Sequence, residues 1–446
     1  MLVPTALAGL LLALAPAPQA GSSPQDQVAE LLAAERADSQ DERTALSESL
    51  AALGAAALPA MLDALRDEAL GGTAGSEAIP LAPGATEALH GALAKLGRDS
   101  LVPVLRERIR EDAPAPERAM AVEVLGRIGR AADLELLLEA AELARGERGP
   151  EPRLVRALES ALPELLRRDP SRVRAARGLL LRAPPHTLAA LARALACSGS
   201  PHAYGTLADA LGASSDLDLA LLPWLAVASG RDPAQPIEPR VEAHLAAAIQ
   251  APEAMLRRTA VLAAGHLEAS PTVPLLIALL DGSDIPLSEA AHWSLVRITG
   301  LRFARERARW ESWYAGEELW LRTEFPACVR ALQAQPEQIV SALQEIGQHR
   351  LDRRRLAEAV CEVSDHPDST VRAIACGVLG QLGTRLAVAA LHERTRDGDP
   401  RVARRAEEAL RTIARADPAG RPAATLTAPR SPQAQADVSV ETPPAR

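Results

Sequence analysis

Apolar residues recur along this chain at i, i+4 and i+7, the spacing that lines one face of an α-helix. Successive instances are Leu46/Leu50/Leu53, Leu89/Leu93/Leu96, Ala121/Leu125/Ile128 and Ala260/Ala264/Leu267. The pattern continues through Ala291/Leu295/Ile298, Ala375/Leu379/Leu382 and Ala406/Leu410/Ile413. Neighbouring stripes start roughly 31–43 residues apart, which leaves room for a second helix and two turns per period. The chain also repeats itself in detail. Ala121-Val122-Glu123-Val124-Leu125-Gly126-Arg127-Ile128-Gly129 returns as Ala375-Cys376-Gly377-Val378-Leu379-Gly380-Gln381-Leu382-Gly383.

Punctuation falls at the same period. Gly54, Gly97, Gly129, Gly199, Gly300, Gly347 and Gly383 stand just past a stripe, where left-handed backbone ends a helix. Pro116-Glu117, Pro252-Glu253 and Pro336-Glu337 are expected to open stripe-bearing helices, with the carboxylates facing the positive end of the dipole. Asp368-Ser369 and Asp399-Pro400 supply side-chain caps in the same place. Second helices are expected over Ala132–Ala144 and Leu386–Thr395.

The Ala-x-x-x-Leu-Gly-x-Ile/Leu-Gly stripe followed by a Leu-rich helix resembles the HEAT-like repeats of bacterial proteins, including those of phycobilin lyases. The resemblance covers about 27–415 and is weakest between 150 and 250. It implies an all-α fold, a right-handed α-solenoid of stacked antiparallel helix pairs. Scaffolds, adaptors and a few enzymes share that architecture, so the fold alone selects none of them.

Composition agrees with the pattern. At 446 residues the chain exceeds what one hydrophobic core organises, so it is an array or several domains. Apolar residues reach 48% but aromatics only 2%, which disfavours large β-sandwiches and barrels. Small Ala at stripe positions lets paired helices approach, so bulky rings are not needed. The net charge of −9 argues against general affinity for phosphate backbones.

The organisation expected is a leader over 1–22, a repeat array over 27–300 and an aromatic-rich junction over 301–335. Further repeats over 336–415 and a disordered tail over 417–446 complete it. The leader is an uncharged apolar run, Leu2–Ala15, ending in small residues around Ala20 and Ser22. It is too short to span a membrane and has no nearby Cys, so it predicts export to a periplasmic or extracellular location without a lipid anchor. The tail is rich in Pro, Ala, Thr and Gln and nearly devoid of large apolar residues. Gly71 to Gly84 reads as an insert between helices, of the kind that gathers on one face of a solenoid.

Seven of the nine aromatic residues lie between Trp293 and Phe325. Trp310, Trp313 and Tyr314 share one helix face, with Phe303 before them and Trp320 after. The Thr-Gly…Phe…Trp-x-x-Trp arrangement is similar to a module that closes repeat runs in HEAT-like proteins, although Arg305 stands where that module carries an acid. The rings can be a plug between two arrays or a patch for a partner, with Phe303, Arg305, Arg309, Trp310, Trp313, Tyr314 and Trp320 as candidate contacts. The two roles are compatible if a ring edge stays exposed.

No catalytic or metal-binding signature is present: no HExxH, Walker A, GxGxxG or GxSxG segment occurs. Cys197, Cys328, Cys361 and Cys376 lack Cys-x-x-Cys spacing and read as small core residues. Cys361 and Cys376 could also face each other across a hairpin. Asp365-His366-Pro367-Asp368 and Cys197-Ser198-Gly199-Ser200 read as turns. Arginines crowd 153–182, but Glu151, Glu159, Glu164 and Asp169 are interleaved, as on a solvated face. These features point to a non-enzymatic scaffold or adaptor that uses no cofactor and binds a protein partner on its concave face or aromatic junction. A lyase or lyase-like chaperone acting on a pigment or modified peptide, and a nucleic-acid binder, are the rival readings.

Overall fold

A computed structural model describes residues 22–34, 38–69, 84–110, 113–143, 151–182, 185–229 and 236–416. The expected leader up to Gly21, the insert between 71 and 83 and the tail from 417 lie outside these. Among the described residues there are twenty-three α-helices and no strand. The chain divides into two units between Thr206 and Leu207, inside the stretch where the repeat pattern is weakest in sequence.

In the first unit, the even-numbered helices stack on one another as the first members of successive pairs. They are α2 (Gln40–Ala52), α4 (Ala85–Leu96), α6 (Ala115–Ile128), α8 (Pro152–Arg168) and α10 (Pro185–Cys197). The pairs are completed by α1 (Pro24–Ala34), α3 (Leu58–Ala69), α5 (Arg98–Ile109), α7 (Leu134–Leu143) and α9 (Pro170–Leu180). A short helix, α11 (Ala203–Ala208), straddles the division. In the second unit α12 (Ser215–Ser229), α14 (Ala254–Leu267) and α16 (Ile285–Thr299) stack in the same way. Their partners are α13 (Pro239–Ile249), α15 (Val273–Ala278) and the long α17 (Arg307–Thr323). After α18 (Phe325–Ala331), a second stack of α19 (Pro336–Ile346), α21 (Ser369–Leu382) and α23 (Pro400–Ala416) follows, paired with α20 (Arg353–Cys361) and α22 (Ala387–Arg394). Each unit is thus a solenoid of antiparallel helix pairs. Among the described residues no single helix is long and apolar enough to cross a membrane.

The stripes are the core. Ala260, Ala264, Ala291, Leu295, Ala375, Leu379 and Leu382 are all fully buried or nearly so. In the first unit the third stripe position sits at a helix end, so Leu53, Leu96 and Ile128 are only half-buried. In the last repeat Leu410 is half-buried and Ala409 takes its place inside.

The glycine inside the repeated Val-Leu-Gly motif marks where stacked helices touch. A Cβ on Gly126 of α6 would stand 2.4 Å from the Ala161 Cβ of α8, and one on Gly380 of α21 would stand 2.8 Å from Ala409 of α23. The equivalent Gly265 of α14 meets Ser294 of α16 at 2.6 Å. Three repeats therefore use the same residue for close stacking, against backbone at Gly126 and Gly380 and against side chains at Gly265.

The expected caps are met at most positions. Gly54, Gly97, Gly199, Gly300 and Gly383 adopt positive φ. Gly129 and Gly347 do not, having φ of −63° and −61°. At Gly129 the constraint is space, since a Cβ would lie 2.3 Å from the Leu125 carbonyl. Asp368 caps α21 by accepting from the Thr370 N–H at 2.7 Å. Pro252 lies outside its helix, which opens at Ala254 with Glu253 at the boundary. The second helices are shorter than expected, because Ala131–Asp133 and Leu386 belong to the turns that precede α7 and α22.

Cys361 on α20 and Cys376 on α21 are free thiols, and burial pushes both up to about 11. At pH 8 the thiolate fraction falls by roughly the same hundredfold as two units of pKa imply. Alkylation of both in the native protein, followed by mass spectrometry, is expected to run at least roughly 100-fold slower than for an unperturbed thiol and to quicken as pH rises toward 11. Rapid labelling at pH 8, or a disulfide between them, would contradict this placement. The motif glycine gives a paired test three residues apart on α21. Gly380→Ala is expected to cost about 1–3 kcal/mol by forcing α23 outward. Gly377→Ala, where nothing lies within 4 Å, is expected to gain about 0.5–1 kcal/mol in urea unfolding.

Candidate functional site

The stacking of α19, α21 and α23 leaves an open groove of about 530 Å³ along one face of the second unit. Its floor is the face of α21 that carries Thr370, Ala373, Gly377 and Gln381. One wall is the end of α19, with Gln344, Gly347 and Gln348. The other is the first turn and a half of α23, with Arg401, Arg404 and Arg405 at i, i+3 and i+4 on one face. The lining is thus carboxamide and guanidinium over small residues and the apolar side chains of Ile374 and Val378. No group of three or more His, Cys, Asp or Glu placed to hold a metal occurs among the described residues.

Two buried charged residues hold the α19 wall. Glu317 of α17 is 8% exposed and accepts from the Arg350 and Leu351 N–H groups at 2.9 and 3.0 Å, with His349 Nδ1 at 3.2 Å. It therefore fixes the loop that follows Gln348. Arg353, 7% exposed, begins α20 and turns inward. It donates to the Ile298 carbonyl at 2.7 Å, the Arg297 carbonyl at 2.7 Å and the Leu382 carbonyl at 3.0 Å. The Glu268 carboxylate, 3.3 Å away, balances its charge. The C-terminal ends of α14, α16 and α21 thus converge on one guanidinium, which suits the negative end of each helix dipole. Gly300 and Gly383 flank it in left-handed backbone. Glu268 occupies the position of Gly383 in its own repeat and is also left-handed, at φ 56°. Nearby, burial raises the Asp352 carboxyl, while Glu242 is raised by burial and then by Asp352.

With this geometry in view, residues 329–411 match the family model for HEAT repeats. That span contains α19 to α22 and most of α23, so the groove is built from it. That span carries HEAT repeats. No curated protein matches it in sequence. It is similar to the solved structure of an engineered protein, at 16% identity, covering 88% of this chain and 99% of that one with a TM-score of 0.21. A structure from work on a phosphorylation switch controlling the interaction between cadherin and beta-catenin shares 14% identity, covers 90% and 93%, and gives a TM-score of 0.28. For Kap121p the values are 13% identity and 0.26, covering 88% of this chain and 49% of that chain. The chain therefore spans about half the length of Kap121p.

The HEAT groove is not where the aromatic cluster lies, and the structure divides that cluster in two. Trp310 is fully buried, with Phe303 at 5.0 Å and Trp313 at 5.7 Å between ring centres, and its Nε1 donates to the Ala304 carbonyl at 3.0 Å. Arg309 lies 4.4 Å over the Phe303 ring. Trp320, 7% exposed, instead joins the core of the last repeats, stacks on His349 at 3.5 Å and meets Phe325 at 5.6 Å. The helix α17 therefore carries a ring at each end, one docked back toward α16 and one forward onto α19. Trp310 and Trp320 offer no surface to a partner and fill the junction. Trp313, Tyr314 and Phe303 remain half-buried, and Arg305 and Arg309 are exposed.

Trp293 stands apart, 39% exposed on α16, with its ring 4.8 Å from His266. It lies two residues past Ala291, as Gly377 lies two past Ala375, so one repeat presents a ring where another presents a gap.

The remaining candidates are structural. His366 Nδ1 accepts from the Asp368 N–H at 3.1 Å, and the Ser198 hydroxyl donates to the Leu195 carbonyl at 2.7 Å, so both segments are turns. In the arginine-rich stretch Arg167 and Arg168 pair with Glu164, and Arg193 with Glu159. The groove residues were not singled out by the sequence. Arg401, Arg404 and Arg405 carry no motif of their own, and Arg353 was hidden in a run of three arginines.

Removing the guanidinium is expected to be severe. Arg353→Ala leaves three carbonyls and a carboxylate without their donor and is expected to cost about 3 kcal/mol or more in urea unfolding. Arg353→Lys recovers little, because an ammonium cannot present the planar fork to three helix ends. Glu317→Gln is expected to cost about 1–2 kcal/mol, since one carboxylate oxygen is replaced by a donor facing donors. A loss below about 0.5 kcal/mol for Arg353→Ala would show that the helix ends close without it.

Proposed function

We propose that the protein is a non-enzymatic scaffold that binds a protein partner in the groove of α19, α21 and α23. One observation carries this reading: three successive stacked helices combine into a single open surface lined by Arg and Gln side chains together with Ile374, Val378 and small residues. Extended surfaces of this kind bind through many modest contacts distributed over stacked repeats. The rings of the junction are better used as filling, because Trp310 and Trp320 are enclosed and Trp313, Tyr314 and Phe303 are half-buried around them. A pigment or modified-peptide lyase would call for an enclosed apolar cleft with a few convergent polar groups, and the groove is instead open, with Arg and Gln side chains beside Ile374 and Val378. Export is part of the same proposal, supported by the apolar run at 2–15 and the small residues after it.

Partner recovery from native extracts, quantified by mass spectrometry, tests the assignment. Gly377→Trp fills the groove from an open position and is expected to reduce partner recovery at least tenfold. Trp313→Ala with Tyr314→Ala is expected to leave it unchanged. The opposite pattern would move the binding surface to the junction.

A further inference from the structure

The walls of the groove are unlike one another, and that asymmetry describes what fits between them. Arg401, Arg404 and Arg405 put three guanidiniums along one side, on a chain whose net charge is −9. Arg401 reaches both oxygens of half-buried Asp399, the nearer at 2.9 Å, and the Ser369 hydroxyl at 3.5 Å. Arg405 is held by exposed Glu408 at 3.2 Å, a surface pair that exchanges at little cost. Arg404 forms no ion pair among the described residues and is exposed. The facing wall and the floor carry the carboxamides of Gln344, Gln348 and Gln381, each able to donate and accept.

Backbone chemistry decides between an extended occupant and a helical one. A helix satisfies its own backbone and has no use for three carboxamides. An extended segment exposes a peptide N–H and C=O at every residue, which is what Gln side chains can pair. At Gly377 nothing lies within 4 Å of the place a Cβ would take, so backbone can approach the middle of the floor.

On the reading that the groove binds a protein, we infer that its occupant is an extended, unstructured polypeptide segment bearing carboxylates on one side. Those carboxylates face Arg401, Arg404 and Arg405, and the segment's backbone lies along Gln344, Gln348 and Gln381 over Gly377. Charge complementarity selects the acid, and the carboxamides select the extended chain. A single-stranded nucleic acid would also meet the arginines, but no aromatic ring lines the groove for its bases to stack on.

Fluorescence anisotropy with defined probes on the full chain tests the inference. The probes are a labelled dodecapeptide of Gly-Ser-Glu repeats, the same peptide with Lys for Glu, and a labelled twelve-nucleotide single strand. The acidic peptide is expected to bind at least tenfold more tightly than the other two. That preference is expected to disappear in the R404E/R405E variant, and all binding in Gly377→Trp, with both variants checked for unchanged helical content and melting. Equal binding of acidic and basic peptides, still lost in Gly377→Trp, would overturn the acidic occupant while leaving the groove as a protein site. Preference for the nucleic acid, or an acidic peptide that binds no better than the basic one, would also overturn it. Acidic binding that persists in Gly377→Trp would remove the groove itself.

Discussion

Everything in the second unit depends on the closure of helix ends by Arg353. Stacked parallel helices bring their C-terminal carbonyls to the same side, where partial negative charges accumulate and hydrogen-bond donors are scarce. One planar guanidinium can serve several such ends at once, and here it reaches α16 and α21 directly and α14 through Glu268. The cost of burying it is met by three carbonyls and a carboxylate, so the charge is both paired and fully hydrogen-bonded. Because Arg353 begins α20, it also anchors the loop that ends the α19 wall. Glu317 completes that anchoring from α17, and the groove inherits its shape from these two side chains.

The repeats achieve close stacking with small residues, and this explains why rings are scarce and where they occur. Where Gly126 or Gly380 meets the next helix the backbones nearly touch, and at Gly265 the space is taken by the Ser294 side chain and the Trp293 ring. Between α16 and α19 the regular stacking is interrupted by α17 and α18, and ring-sized filling becomes necessary. Trp310 and Trp320 supply it at the two ends of α17. Their burial against different helices makes α17 a spacer with two docking points.

Much of the fold was legible in the chain. The i, i+4, i+7 stripes, the repeated glycine-ended motif and the Asp and Pro caps translate directly into helices because their causes are local. The junction was legible as a place but not as an arrangement: spacing put Trp310, Trp313 and Tyr314 on one face, yet could not say which ring would be enclosed. Arg353 was not legible at all. In the run Arg353-Arg354-Arg355 each residue has the same local preference, and only the convergence of distant helix ends singles out the first. The groove residues were invisible for the same reason, since Gln344, Gln381 and Arg404 acquire a common purpose only when three helices are set side by side.

The correspondence between Trp293 and Gly377 has a consequence for how the repeats present their surface. Both occupy one register position of a first helix, beside the stripe. At Gly377 that position is open, whereas at Trp293 the ring reaches back over Gly265 and His266 of α14. The volume of one side chain therefore sets the local relief of a repeat, and where it is a ring it also ties neighbouring repeats together.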